Sequence, residues 1–238
     1  LLLVAHAGAQ LQALTPTRTM SLHRLVLQSL VANESTRHSA ARLALHAAGA
    51  ADAEAVLRWA PRAAREAAAR GAHRQAAEHW LSALQNAGGA TERARMLDAY
   101  AVSAHWSGQM DRAITARRDA AQLWREAGQA EAAAVSLADQ ATLCTLSGQR
   151  AQAQAAVDAA RSLVAAQADA SAARKVHGVA AWLRLADGDA AEAATLAGQV
   201  LAAAQRAGDT DAVIDNLKIL GSALMVLDRV AEGAEHLE

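Results

Sequence analysis

The chain has 238 residues and a formal net charge of −1, and 53% of its residues are hydrophobic although only 3% are aromatic. Alanine supplies most of the apolar residues, and it is the best helix former and allows helices to pack closely. The sequence has only two prolines, and it lacks the runs of β-branched and aromatic residues that strands need. This composition predicts an all-α protein and argues against a β-sheet fold.

Charge and cysteine content narrow the class of protein further. Residues 1–75 carry nine arginines against four acidic residues, but the arginines are spread around helices rather than clustered, which disfavours nucleic-acid binding. Cys144 stands alone, so no intrachain disulfide or cysteine metal cage can form, and a reduced setting fits. No apolar run reaches membrane-spanning length. We expect a cytoplasmic protein that binds neither nucleic acid directly nor a membrane.

The helical elements follow from capping residues, apolar periodicity and turns. They are predicted over residues 17–32, 37–48, 75–85, 91–107, 110–127, 130–147, 151–167, 171–186, 190–207 and 211–227, with a truncated helix from residue 230. Pro61 falls inside a further helical pattern and predicts a kink or break after Trp59. Gly178 and Gly198 lie within predicted helices, where each lowers stability unless a neighbouring helix packs against it.

Turns recur along the chain at intervals of 37 to 40 residues. They lie at Gly71, Gly108, Gly148, Gly188 and Asp228. A small residue follows each turn by five positions, and another precedes it by seven: Ala76, Ala113, Ala153, Ala193 and Gly233 in the first column, and Ala64, Ala101, Ala141, Ala181 and Gly221 in the second. A glycine supplies the left-handed conformation that ends a helix, and small residues let two antiparallel helices approach closely.

This pattern resembles the tetratricopeptide repeat over roughly residues 53–238, with a longer period of about 40 residues. The resemblance implies a right-handed superhelical solenoid of antiparallel helix pairs. We predict that residues 51–238 form this solenoid. The chain starts without Met and ends within the repeat pattern, so we expect a piece of a longer protein, truncated at its C-terminal end.

A second resemblance covers about residues 14–85. The stretch from Arg37 to Pro61, followed by Ala63-Ala64-Arg65 and Gly71–Ala77, resembles the segment after the nucleotide-binding and winged-helix modules of large ATP-binding LuxR-type (MalT-like) transcription regulators. It implies that residues 1–50 are a helical linker at the end of a winged-helix module. It also implies an upstream ATPase domain as partner and a helical arm that senses an inducer. The chain itself lacks a phosphate-binding loop and a recognisable DNA-reading helix.

Catalytic and metal sites are not indicated. The nine histidines include no His-Glu-x-x-His spacing, and Cys144 is better explained as a packing residue than as a nucleophile. We therefore predict no enzyme activity and no cofactor. Most of the five tryptophans should pack in the core. A ligand or partner surface on the concave face is predicted to use Trp106, Arg112, Arg117, Arg118, Trp124 and Arg184.

Two functions follow from these features. The first is the sensor arm of an ATP-dependent LuxR-type regulator, which binds a protein, a peptide or a small-molecule inducer in its concave groove. The alternative is a free-standing tetratricopeptide-type scaffold or adaptor that binds peptides and has no link to transcription. Fold resemblance alone does not decide between them.

Overall fold

A computed structural model of the protein describes residues 15–32, 39–165 and 170–237. Within these ranges the chain is helical and contains no strand. The first five helices are α1 (Pro16–Ala32), α2 (Ala40–Gly49), α3 (Ala53–Ala69), α4 (His73–Leu84) and α5 (Ala90–Trp106). The others are α6 (Met110–Glu126), α7 (Ala130–Leu146), α8 (Arg150–Val164), α9 (Ser171–Ala186), α10 (Ala190–Ala207), α11 (Thr210–Val226) and α12 (Val230–Leu237).

The helices form two compact units. The first unit ends at Gly108 and contains α1 to α5, and the second begins at Gln109 and contains α6 to α12. In each unit a helix packs against the next one along the chain. The domain boundary predicted near residue 50 remains a prediction, and it falls within the first unit.

The predicted turns are confirmed by their backbone conformation. Gly71, Gly108, Gly148 and Gly188 have φ between 73° and 90°, and Asp228 takes the same left-handed region with φ 62°. A non-glycine residue adopts this region at a cost, and aspartate tolerates it better than most. The observed helix ends lie within about two residues of the predicted ones wherever both can be compared. The predicted start at residue 37 and the predicted end at residue 167 lie outside the described residues.

The small residues at matched repeat positions pack at the centre of the helix pairs. The alanines of the two columns are at most 1% exposed, and the glycines are buried as well: Ala64, Ala76, Ala101, Ala113, Ala141, Ala153, Ala181, Ala193, Gly221 and Gly233. A Cβ on Gly233 would lie 2.8 Å from the backbone oxygen of Gly221. The backbones of α11 and α12 therefore approach more closely than any larger side chain allows.

Of the kink or break predicted after Trp59, the break is wrong, and the kink remains a prediction. Helix α3 runs without interruption from Ala53 to Ala69, with Pro61 inside it and buried. A proline in a helix interior lacks one backbone hydrogen bond and costs about 3 kcal/mol. The helix persists because the face that carries the proline is packed throughout, with Ala60, Ala63, Ala64 and Ala67 all buried.

The two glycines inside helices have different surroundings. A Cβ on Gly178 would lie 3.0 Å from the side-chain nitrogen of Asn216, whereas a Cβ on Gly198 would meet nothing within 4 Å. Asn216 cannot move aside easily because it is buried and its Nδ2 donates to the Ala212 carbonyl at 2.8 Å. Gly178 is therefore required by the close approach of α9 and α11, and Gly198 is not required by any contact.

We expect opposite effects when each glycine is replaced by alanine. Gly198→Ala should raise the free energy of unfolding by about 0.5–1 kcal/mol, because alanine has the higher helix propensity. Gly178→Ala should lower it by about 1 kcal/mol or more, because the methyl group crowds Asn216. Urea denaturation followed by circular dichroism measures both. Stabilisation by both substitutions would contradict the close approach of α9 and α11.

Helices α1 and α2 share a histidine contact. Nδ1 of His23 lies 3.0 Å from Nδ1 of His46, so one ring must donate and the other accept. Burial lowers the pKa of His46, and the charges of His23 and Arg42 lower it further. The neutral contact therefore stabilises the docking of α1 above pH 6.5, and this stabilisation is lost as the pH falls through the lowered pKa.

Acidification should accordingly loosen the docking of α1. Hydrogen exchange of the α1 amides, corrected for intrinsic rates, should be faster at about pH 5 than at about pH 7, on either side of the ordinary histidine pKa. His46→Gln keeps a donor and an acceptor without titrating, so it should remove most of this pH dependence, and His236→Gln serves as the matched control. An unchanged pH dependence in His46→Gln would refute the role of this pair.

Candidate functional site

Alternate helices of the second unit form a row. Helix α7 packs against α9, and α9 packs against α11, while each of them also packs against the helix that follows it. A groove of about 700 Å³ runs along this row. Side chains of all three helices line it, among them Thr142, Lys175, Val179, Trp182, Asp215 and Ile219. This volume falls in the range of sites that bind small molecules or short peptide segments.

Asn216 lies in the wall of the groove and has an unsatisfied acceptor. The residue is 2% exposed, and its Nδ2 donates to the Ala212 carbonyl at 2.8 Å. Its Oδ1 is buried and has no hydrogen-bond partner within the described part of the chain. Gly178 leaves the space into which this amide fits. A buried carbonyl without a donor is costly, so an N–H that reached this oxygen from the groove would form a hydrogen bond and remove that cost.

Ion pairs fix both ends of the groove. At one end Asp139 lies 3.0 Å from Arg117 of α6 and 2.7 Å from Lys175 of α9. At the other end Asp209 lies 2.9 Å from Arg174 and also accepts from Ser171 at 3.1 Å. These contacts join neighbouring helices and hold the carboxylates in place.

Asp209 combines an ion pair with a helix cap. Its Oδ1 accepts from the backbone N–H of Ala212 at 3.2 Å, which caps α11. The hydrogen bond from Arg174 lowers the pKa of Asp209 most, and the bond from Ala212 adds to this effect. The carboxylate is therefore ionised at neutral pH and contributes most to stability there.

The charged side chains on the α11 side of the groove differ from Asp139 and Asp209 in that they form no ion pair with another described residue. Asp211, Asp215 and Lys218 line the groove and are exposed. They are free to pair with a ligand, whereas Asp139 and Asp209 are already neutralised.

None of the six residues predicted to bind a ligand lines this groove. Arg117 comes nearest, because it holds Asp139. Arg184 contacts Gln154 and lines a smaller cavity of about 210 Å³ between α8, α9 and α10. Trp124 is 5% exposed and packs in the core, so it offers little of the surface predicted for it.

Two of the predicted arginines point to solvent with local partners only. Arg112 donates to Gln109 at 2.8 Å, and Arg118 lies 3.0 Å from Asp119. Such exposed contacts between sequence neighbours contribute little to binding or stability. They are best described as solvated helix surface.

Trp106 is the one predicted aromatic residue that is exposed, at 66%. In the first unit it stacks on His73 with ring centroids 6.1 Å apart, and it tilts against His105 at 5.2 Å. Nδ1 of each histidine is buried without a partner among the described residues. The three rings form a surface aromatic cluster at the C-terminal end of α5.

Cys144 has the features of a packing residue. It is fully buried, and burial raises the pKa of its thiol. A raised pKa leaves little thiolate, which makes the thiol a poor nucleophile. The described residues contain no group of three side chains able to hold a metal ion. No described helix is both long and apolar enough to cross a bilayer.

Comparison with solved structures identifies the fold. BtubC (BKLC) from P. vanneervenii matches with a TM-score of 0.63 at 16% identity, over 94% of this chain and 88% of that one. A putative kinesin light chain from Podosopora anserina, with nearly identical TPR-like repeats, matches with a TM-score of 0.59 at 17% identity, over 76% of this chain and 91% of that one.

A Rap protein in complex with competence and sporulation factor also matches, with a TM-score of 0.60 at 12% identity. This match covers 92% of this chain and 73% of that one. No protein-family model and no curated protein sequence matches the chain. The structural matches show a tetratricopeptide-like helical-repeat fold, and the predicted fold class is confirmed.

The Arg174–Asp209 pair predicts a specific response to acid. Asp209→Asn keeps the cap on α11 but loses the charge, and should lower the free energy of unfolding by about 1–2 kcal/mol at neutral pH. Because the pKa of Asp209 is lowered in the folded state, the difference should begin to shrink as the pH falls below the ordinary value of 3.8 and should vanish once the pH has passed through the lowered pKa. Asp211→Asn, on the same turn, is the matched control. Equal losses in the two variants would contradict this role.

Proposed function

We propose that this chain is a protein-interaction scaffold whose α7–α9–α11 groove binds an extended polypeptide segment of a partner. The observation that carries the proposal is the unsatisfied Oδ1 of Asn216, buried in the wall of an open groove. A peptide backbone supplies the N–H donor that this oxygen lacks, without requiring a particular side chain.

The dimensions of the groove suit a short extended segment. Packed helices lie about 8–10 Å apart, so a row of three spans roughly 18 Å between its outer axes. An extended chain rises about 3.3 Å per residue, so five or six residues cross the row. The groove accommodates a segment of this length lying across the three helices.

The lining of the groove suits mixed side chains. Trp182, Val179 and Ile219 offer apolar contact, while Asp215 and Lys218 offer unpaired charges of both signs. A purely apolar ligand would leave these charges partly desolvated at a cost. A polypeptide with apolar and charged side chains satisfies both kinds of surface.

One structural neighbour agrees with a binding role for this fold. The Rap protein was solved in complex with competence and sporulation factor. At 12% identity this match supports the fold alone. The proposed ligand is inferred from the groove residues of this chain.

Selection of peptides from a phage-displayed random library against the 238-residue chain tests the proposal. A selected peptide, labelled with fluorescein, is titrated by anisotropy against three proteins: the original chain, Asn216→Leu and Gln199→Leu. Asn216→Leu keeps the branched four-atom side chain but removes the acceptor, and should weaken binding roughly 5- to 100-fold. Gln199 is an exposed amide on α10 that does not line the groove, so Gln199→Leu should bind as the original chain does.

The melting temperature of each variant, measured without peptide, separates loss of binding from loss of folding. Unchanged affinity in a folded Asn216→Leu variant would contradict the role of Asn216. Equal weakening in both variants would place the peptide elsewhere. A library that yields no binder to the original chain would refute peptide binding in this groove.

We propose further, on sequence resemblance alone, that the chain is the sensor arm of a LuxR-type regulator. The resemblance rests on the stretch from Arg37 to Pro61 and the residues that follow it to Ala77. Sequencing the coding region on both sides tests this finer proposal. A phosphate-binding loop upstream and a helix-turn-helix downstream would support it, and their absence would favour the free-standing adaptor.

A further inference from the structure

The outward face of α3 carries a stripe of three arginines. Arg58, Arg62 and Arg65 are spaced by four and three residues, so they share one helix face, and all three are exposed. The opposite face of α3 is buried against the neighbouring helices of the first unit. The arginines of residues 1–75 are expected from the sequence to be spread around helices rather than clustered, but α3 brings these three together.

Aromatic rings hold these arginines in place. The guanidinium carbons of Arg58 and Arg62 lie 5.0 Å and 5.9 Å from the centroid of the Trp59 ring, and that of Arg65 lies 5.6 Å from the Trp80 ring. A cation–π contact orders a guanidinium without using its N–H donors. The donors at the edge of each group remain available for an anion.

Carboxylates neutralise this stripe only in part. Glu66 pairs with Arg62 at 3.0 Å, on the exposed surface. Arg58 and Arg65 have no carboxylate partner among the described residues. The described residues of the first unit carry ten arginines and six acidic residues, so the surrounding field also favours anions.

We propose that the arginine stripe of α3 binds an acidic polypeptide segment of a partner protein. Arginine forks recognise carboxylates with two parallel hydrogen bonds, and ordering by the rings reduces the entropy lost on binding. Positions 58 and 65 are about 10 Å apart along the helix. Carboxylates two turns apart on a partner helix, or three residues apart on an extended strand, match this distance.

Charge and stacking favour a polypeptide over nucleic acid. Single-stranded nucleic acids gain affinity when their bases stack on aromatic faces. Trp80 is buried, and the ring of Trp59 already carries two guanidinium groups. The site therefore offers hydrogen-bond donors to an anion without a free ring for a base.

Fluorescence anisotropy with the 238-residue chain tests the stripe. The probe is a fluorescein-labelled, alanine-rich helical peptide in which glutamate recurs at alternating intervals of three and four residues. The double variant Arg58→Gln/Arg65→Gln should bind it at least about tenfold more weakly at low salt. The matched control, Arg18→Gln/Arg24→Gln, removes two exposed arginines of α1 and should bind within about twofold of the original chain.

A lysine variant separates the contribution of charge from that of the guanidinium forks. Arg58→Lys/Arg65→Lys keeps the charge but loses the forks, so its affinity should lie between those of the original chain and the glutamine variant. Circular dichroism establishes that each variant is folded. Equal losses in the test and control variants, or no binding of the glutamate probe, would overturn the proposal.

Tighter binding of fluorescein-labelled oligothymidylate than of the glutamate probe would overturn it in favour of nucleic acid. Self-association of the chain by sedimentation, abolished by Arg58→Gln/Arg65→Gln, would overturn it in favour of a second copy. The stripe lies in the first unit and the groove in the second, so failure of this proposal leaves the proposed peptide groove untouched.

Discussion

The close approach of helix backbones at small residues is the constraint on which the rest of this structure depends. At the crossing points of the repeat, alanine or glycine is buried almost completely, and a larger side chain has no space. Such a position stabilises the fold through many short contacts over a small area rather than through large apolar side chains. The left-handed residue at each turn serves the same end, because it lets the second helix return directly onto the first.

This way of packing determines where function can reside. A chain with so few large side chains cannot fill every space between its helices, and the row of α7, α9 and α11 leaves a groove. Gly178 allows α9 and α11 to come close, and Asn216 occupies the space that the missing side chain leaves. The close approach of α9 and α11 therefore accounts both for the glycine at position 178 and for the unsatisfied amide oxygen of Asn216.

The cationic side chains at the ends of the groove and those on the outward face of α3 are ordered by different contacts. In the second unit the carboxylates of Asp139 and Asp209 pair with cations of neighbouring helices and order the ends of the groove. In the first unit, tryptophan rings order the guanidinium groups of α3 and leave most of their hydrogen-bond donors unused. An ion pair between helices stabilises the scaffold, whereas an arginine ordered by a ring remains able to bind an anion.

The all-α class, the turns and the small-residue columns could be predicted from the sequence alone, because they depend on backbone conformation and on a period that repeats along the chain. The groove could not be predicted in this way, since Gly178 and Asn216 lie on different helices and come together only when α9 and α11 pack. The same holds for the burial of Trp124 and the exposure of Trp106, because the burial of a large ring depends on which helix packs over it.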